Sequence, residues 1–115
     1  MRVKQVANHL GISEHTIRYY DKVGLFPFVS RDRNGYRDFS IEDLYWIEFI
    51  KCMRKTHMPV SKLKEIAELY HQGSSTKMKR KNIFLEHKKN LIEQKRLIDE
   101  GLEVLEEKFK LLENE

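Results

Sequence analysis

The chain has 115 residues, of which 40% are hydrophobic and 35% charged, with two prolines, one cysteine and a formal net charge of +4. That length suits one globular domain with an appendage rather than two independent cores, and the composition favours helices with charged outer faces over strands or disorder. No apolar run approaches the roughly 20 residues of a membrane span, and the N-terminus lacks the apolar stretch of a secretory signal, so a cytoplasmic protein is expected.

The charge is unevenly spread. Residues 1 to 40 hold seven Lys/Arg against four Asp/Glu, residues 41 to 75 hold five of each, and residues 76 to 115 hold ten against nine. A polyanionic partner, if there is one, is therefore expected at the first third of the chain.

In chain order, Val3, Val6, Ala7 and Leu10 fall at helical spacing, and Gly11 follows where a helix ends in a left-handed residue. Ser13 is a candidate N-cap for a second helix that carries Thr16, Ile17, Arg18, Tyr19, Tyr20 and Val23 and stops at Gly24. Two short helices joined at a glycine form a helix-turn-helix candidate. From Phe28 to Phe39 the pattern changes: Asn34-Gly35 is a favoured two-residue hairpin turn, with Tyr36 and Phe39 as sheet residues, which predicts a small β-wing.

Ser40 is placed to cap a third helix, with Glu42 and Asp43 in its first turn where carboxylates suit the helix dipole, running to about Lys55. Pro59 interrupts the pattern and the neighbourhood of Ser61 restarts it. Leu63, Ile66, Ala67, Leu69 and Tyr70 then carry a fourth helix to Gly73. Gly73-Ser74-Ser75 is the clearest linker, and divides a winged helix-turn-helix domain over 1–72 from a linker and coiled-coil helix over 73–115.

From Thr76 onward no Pro or turn cluster appears, so some 37 residues form one helix about 55 Å long at 1.5 Å per residue. Phe84, Leu91, Ile98, Leu105 and Leu112 recur every seven residues, with Lys88, Lys95, Leu102 and Phe109 as companions. The seam is apolar toward the C-terminus, and its two lysines argue against a continuous parallel zipper. The dimerisation residues are thus Phe84, Leu91, Ile98, Leu102, Leu105, Phe109 and Leu112; the alternative is an amphipathic helix folded back on its own domain.

A recognition helix needs polar side chains in its first turns to reach base edges, with phosphate donors nearby to fix its register. Ser13, His15, Thr16 and Arg18 supply them, beside Glu14. Arg31, Arg33 and Arg37 cluster at the wing, where guanidinium groups can follow a phosphate backbone or enter a minor groove. Of the tyrosines, Tyr19 is assigned mainly to packing, and Tyr20 and Tyr36 to DNA.

The run Thr16-Ile17-Arg18-Tyr19-Tyr20-Asp21, then Gly24-Leu25, Pro27, Arg31, Gly35-Tyr36-Arg37, Phe39 and Asp43-Leu44, closely resembles the N-terminal signature of the MerR family over residues 3 to about 70. Asp21 stands where most members carry glutamate, and His57 where many carry glycine. The resemblance implies a mainly α fold: a winged helix-turn-helix with a β-hairpin wing, then a helical hairpin and an antiparallel coiled coil formed by residues 76 to 112. It also implies a homodimer on a pseudo-palindromic promoter, bending and untwisting the duplex for RNA polymerase, with Arg18, Tyr20, Arg31, Tyr36 and Arg37 holding DNA. Kinking 20 to 30 base pairs costs on the order of 1 to 6 kcal/mol, within reach of two wings and two recognition helices.

Residues 76 to 115 contain no cysteine, so no thiolate metal site of the kind metal-sensing relatives place there is expected, nor any cofactor. Only Glu113, Asn114 and Glu115 follow Leu112, so a pocket-forming domain beyond the helix is not expected within these residues. Cys52 remains as the effector-sensing candidate. Lys51, Arg54, Lys55 and His57 would lower the pKa of its thiol, while its place near a helix C-terminus opposes them and leaves a small buried hydrophobe as the alternative. The run from Trp46 to Arg54 followed by Met58-Pro59 resembles the thiol-based branch that answers reactive aldehydes or other electrophiles.

Catalysis is not expected. His9, His15, His57, His71 and His87 are scattered, and neither a triad nor a glycine-rich phosphate loop has recognisable context. A constitutive repressor with no effector, or a coiled-coil adaptor, are the competing readings; the adaptor leaves the arginine wing unexplained. The basic run Lys77, Lys79, Arg80 and Lys81 is assigned to a solvated helix face in preference to phosphate contact.

Overall fold

The computed structural model describes all 115 residues and separates them into a compact head, 1–81, and a helical unit, 82–115. The chain runs α1 (Val3–Leu10), α2 (Glu14–Lys22), β1 (Ser30–Arg31), β2 (Arg37–Asp38), α3 (Ile41–Lys55), α4 (Val60–Gln72), a 3-10 turn (Ser74–Thr76) and α5 (Lys77–Glu113).

Three of the four helices α1 to α4 start where the sequence offers a side-chain partner for a backbone N–H. Gln5 Oε1 accepts from the Arg2 amide at 3.0 Å, and Ser13 Oγ accepts from the Thr16 amide at 3.0 Å. Ser40 and Asp43 form a reciprocal box, the Asp43 amide donating to Ser40 Oγ at 3.2 Å and the Ser40 amide to Asp43 Oδ2 at 2.8 Å. α4 restarts at Val60, beside Ser61 as expected, with Pro59 as its N-cap and no side-chain cap hydrogen bond.

The ends are equally local. Gly11 and Gly24 close α1 and α2 in the left-handed region. At the end of α3 the same place falls to His57, the one non-glycine residue with positive φ, at 69°. The Met58 amide donates to Met53 O at 2.9 Å and the His57 amide to Arg54 O at 3.2 Å, the paired bonds of a Schellman motif. His57 thus keeps a conformation that favours glycine with an imidazole in it.

The core of the head gathers one face of each of the helices α1 to α4. Val6 and Ala7, Ile17 and Tyr20, Leu44, Ile47 and Ile50, and Leu63, Ile66 and Ala67 are buried together with Leu25, Phe26, Val29, Phe39 and Met58. Phe26 and Phe39 meet edge to face at 5.4 Å, and Trp46 Nε1 donates to Leu25 O at 2.9 Å. Cross-links at the margins hold the packing: Lys51 Nζ donates to Leu10 O at 2.9 Å, tying α3 to the end of α1.

The wing is shorter than the sequence pattern predicts, and turns differently. β1 and β2 pair antiparallel with Ser30 opposite Asp38 and Arg31 opposite Arg37, so Tyr36 and Phe39 flank the strand. A two-residue turn at Asn34-Gly35 would need positive φ at both residues, yet only Gly35 has it, at 84°. The loop instead spans Arg33 to Gly35: the Gly35 amide donates to Asp32 O at 3.0 Å and the Asp32 amide to Tyr36 O at 2.8 Å. Asp32 decides the geometry, because its Oδ1 accepts from the amides of Asn34 at 2.8 Å and Tyr36 at 3.1 Å.

In the segment expected as a linker, Ser74–Thr76 forms the 3-10 turn, and Thr76 is buried with its hydroxyl 2.6 Å from Leu69 O. Along 82–115, Ile98, Leu102, Leu105, Phe109 and Leu112 are all more than half exposed, and Phe84 is 40% exposed. Leu91 is partly covered. Arg96 bridges Glu93 at 2.8 Å and Glu100 at 3.2 Å on the charged surface. No helix is long and apolar enough to cross a membrane.

Candidate nucleic-acid interface

Between α2 and the wing lies an open groove of about 380 Å³. Arg18 and Glu14 line it from α2, Arg31, Gly35 and Tyr36 from the wing, and Arg2, Val3 and Lys4 from the start of α1, with Asp21 and Arg37 at its base. Five cationic side chains against two carboxylates make it an anion-facing surface.

The geometry of each predicted residue follows from its local partners. Ser13 and Thr16 hydroxyls lie 2.8 Å apart at the α2 cap, and His15 is exposed beside them. The Arg18 side chain is two-thirds exposed and only loosely held by Glu14, 3.7 Å away, so its guanidinium is free to reach outward. Arg31 Nη1 donates to Gly35 O at 2.7 Å, which fixes one end of its fork at the wing tip, while Arg33 is exposed on the loop itself. Tyr36 is 63% exposed, with the Arg2 guanidinium 5.1 Å above its ring and the same guanidinium ion-paired with Asp32.

Two assignments require correction. Tyr20 is buried and Tyr19 exposed, the reverse of what was expected. Tyr20 stands three residues after Ile17, which is wholly buried, so it shares the inward face of α2. Burial raises its phenol pKa above the ordinary value, against a smaller lowering effect of Arg54. Arg37 is the second correction. Its Nε and Nη2 hold Asp21, each at 3.1 Å from Oδ1, and its Nη1 donates to Val29 O at 2.6 Å. Three of its five N–H groups are engaged inside the head, so Arg37 chiefly fastens the wing to α2, and only one N–H on each terminal nitrogen remains toward the groove that it lines.

Arg2 and Lys4 are the residues that sequence reasoning missed. Both precede or open α1, where their distance in sequence from the wing hid their place in the groove. The excess of cations in the first forty residues was the available signal.

Cys52 is exposed, not a small core residue. On α3 it follows Ile41 and Tyr45 at intervals that share one face, and both of those are also exposed. Two of the cations expected to activate it are committed elsewhere: Lys51 to Leu10 O, and Arg54 Nη1 to Met58 O at 2.8 Å.

A helix-turn-helix followed by a hairpin wing, with cations converging on the groove between them, defines the winged helix-turn-helix class of DNA-binding folds. The MerR HTH family regulatory protein model matches residues 1–70. The HTH-type transcriptional regulator AdhR of Bacillus subtilis is 44% identical over 81% of this chain, which spans 66% of that protein's length. An uncharacterized HTH-type transcriptional regulator of Haemophilus influenzae is 37% identical over 83% of the chain and 73% of its own length. Among solved structures, HiNmlR, a MerR family regulator lacking the sensor domain and bound to promoter DNA, superposes with a TM-score of 0.84 at 35% identity, over 94% of this chain and 86% of that one. The chain belongs to the MerR family of helix-turn-helix regulatory proteins.

Proposed function

We propose that two copies of this chain bind one pseudo-palindromic promoter site, distort it, and thereby present it to RNA polymerase. The observation that carries the reading is the groove in which Arg18 of α2 faces Arg31 and Tyr36 of the wing. A recognition helix set in the major groove with a wing along the flanking backbone uses both sides of such a groove at once. The homodimer reading rests on the apolar row Ile98, Leu102, Leu105, Phe109 and Leu112, which a single chain leaves exposed. HiNmlR, similar over nearly the whole chain, was solved on promoter DNA.

A gel-shift titration across salt concentrations tests this. Wild-type affinity should fall steeply with salt, as counterions released from phosphate require. Arg18→Ala should abolish the shifted band while leaving the dimer intact by sedimentation. A flat salt response, or normal shifting by the variant, rejects the reading.

The regulatory signal is assigned to Cys52. Its exposed thiol is open to a small electrophile: sulfur adds to an aldehyde carbon while the carbonyl oxygen takes the displaced π pair and a proton, giving a thiohemiacetal with no leaving group. Oxidation of the same sulfur by an external peroxide, which transfers one oxygen to give the sulfenic acid and leaves as water or alcohol, would serve equally as a mark. In a promoter reporter, Cys52→Ala should lose the response to formaldehyde or methylglyoxal, and an undiminished response removes the thiol from the mechanism. The exposure of Cys52 supports this; the engagement of Lys51 and Arg54 with backbone carbonyls means that neither is free to swing onto the thiol.

A further inference from the structure

A second concavity of about 400 Å³ opens in the head, away from the wing groove, lined by Phe28, Tyr70, His71, Gly73, Ser74 and Arg80. We propose that this cleft binds a small organic anion bearing an apolar ring, of which an aromatic carboxylate is the simplest example.

Charge and shape both point to that chemistry. No carboxylate lines the cleft, and Arg80 supplies a cation on one wall. Its Nε is fixed, donating to Thr76 Oγ1 at 3.1 Å, and its guanidinium carbon lies 5.3 Å from the centre of the Tyr70 ring. Thr76 is itself buried, with its hydroxyl within 2.6 Å of Leu69 O and 2.8 Å of Gly73 O, so the anchor is rigid. Nη1 and Nη2 make no hydrogen bond or ion pair within the chain, and together they form the planar fork that suits a carboxylate. His71, exposed on the rim, adds a ring nitrogen.

The other wall is aromatic. Phe28 and Tyr70 meet edge to face at 5.0 Å with their planes at 79°, and Tyr70 is 53% exposed, so a ligand ring finds open aromatic surface beside the cation. Gly73 holds φ 108° and ψ −173°, a region reserved for glycine, and puts no side chain over the opening. The volume sits at the small end of ligand pockets, which suits a single-ring compound.

The site is separate from the DNA-binding reading and from Cys52, and its test reads the cleft directly. The isotope-labelled full chain is titrated with benzoate while the Gly73 and Ser74 amides, Arg80 Nε and the indole of Trp46, whose ring is 6.1 Å from that of Phe28, are followed by NMR. Acetate, a charge without a ring, and benzyl alcohol, a ring without a charge, are the comparison ligands. Saturable benzoate shifts at these positions are expected, with affinity about tenfold weaker, or worse, for each comparison ligand and for Arg80→Gln. Arg80→Lys, which keeps the charge but loses the fork, should fall between. If Arg80→Gln fails to fold, Tyr70→Leu and the comparison ligands decide. Benzoate shifts that are absent, that centre on Arg18 and Arg31, or that are matched by acetate overturn the proposal.

Discussion

Asp21 and Arg37, sixteen residues apart in sequence, meet with Nη2 3.1 Å from Oδ1 and both side chains mostly covered, so the wing is bolted to α2 through a single ion pair. Removing one partner strands the other in a place where water cannot fully solvate it. Asp21→Asn and Arg37→Lys should each lower stability by about 1 to 3 kcal/mol in urea unfolding, as loss of a charged hydrogen bond does. The pair of changes together should cost clearly less than their sum. DNA affinity should fall with them because the wing loses its fastening to α2, and additive stability losses would show that the two residues act independently.

At His57 the strain is local. A side chain in the left-handed region costs roughly 1 to 2 kcal/mol, partly offset when glycine replaces it because the unfolded chain gains freedom. His57→Gly should therefore leave the melting temperature unchanged or raise it by a few degrees. His57→Val, branched at Cβ, should lower it. A fall in both variants would mean that the imidazole contributes something beyond its backbone.

The alkaline limb of stability should carry the mark of Tyr20. Burial favours the neutral phenol, so its folded pKa lies above the unfolded value of about 10. The stabilisation is fully present below pH 10 and is lost as pH rises through the folded pKa. An absorbance titration of the phenolates should show a late-ionising tyrosine that vanishes in Tyr20→Phe, and stability of that variant should fall less above pH 10. A titration unchanged by the substitution counts against the assignment.

Leu105→Asp or Phe109→Asp places a carboxylate in the apolar row of α5, where pairing of two helices would bury it unpaired. Sedimentation should then report monomer at concentrations where the parent chain is a dimer, with the helical content of the head preserved. A dimer that survives both changes would move the interface elsewhere.

Helix ends were the most legible part of the chain, because their causes lie within four residues: Ser13, Ser40, Gly11 and Gly73 each sit where a cap or stop was expected. Adjacent aromatics were harder. Tyr19 and Tyr20 differ by 100° around α2, and only the phase set by Ile17 separates them. Arg37 was misassigned because its partner, Asp21, comes from another element, and composition cannot distinguish a guanidinium held by a carboxylate from one left for phosphate. The wing turn was misread for a related reason: the Asn34-Gly35 pair is a strong local signal, but the Asp32 carboxylate, two residues earlier, captures the amides that would otherwise set a tighter loop.

That capture also bears on how quickly the wing can find its target. Because Asp32 gathers the loop amides before any duplex arrives, Arg31 and Tyr36 come to the encounter already aimed, and the entropy of ordering the tip is charged to the fold and not to the complex. Docking can then proceed as the meeting of two finished surfaces, limited by diffusion and charge steering instead of by a search among loop shapes.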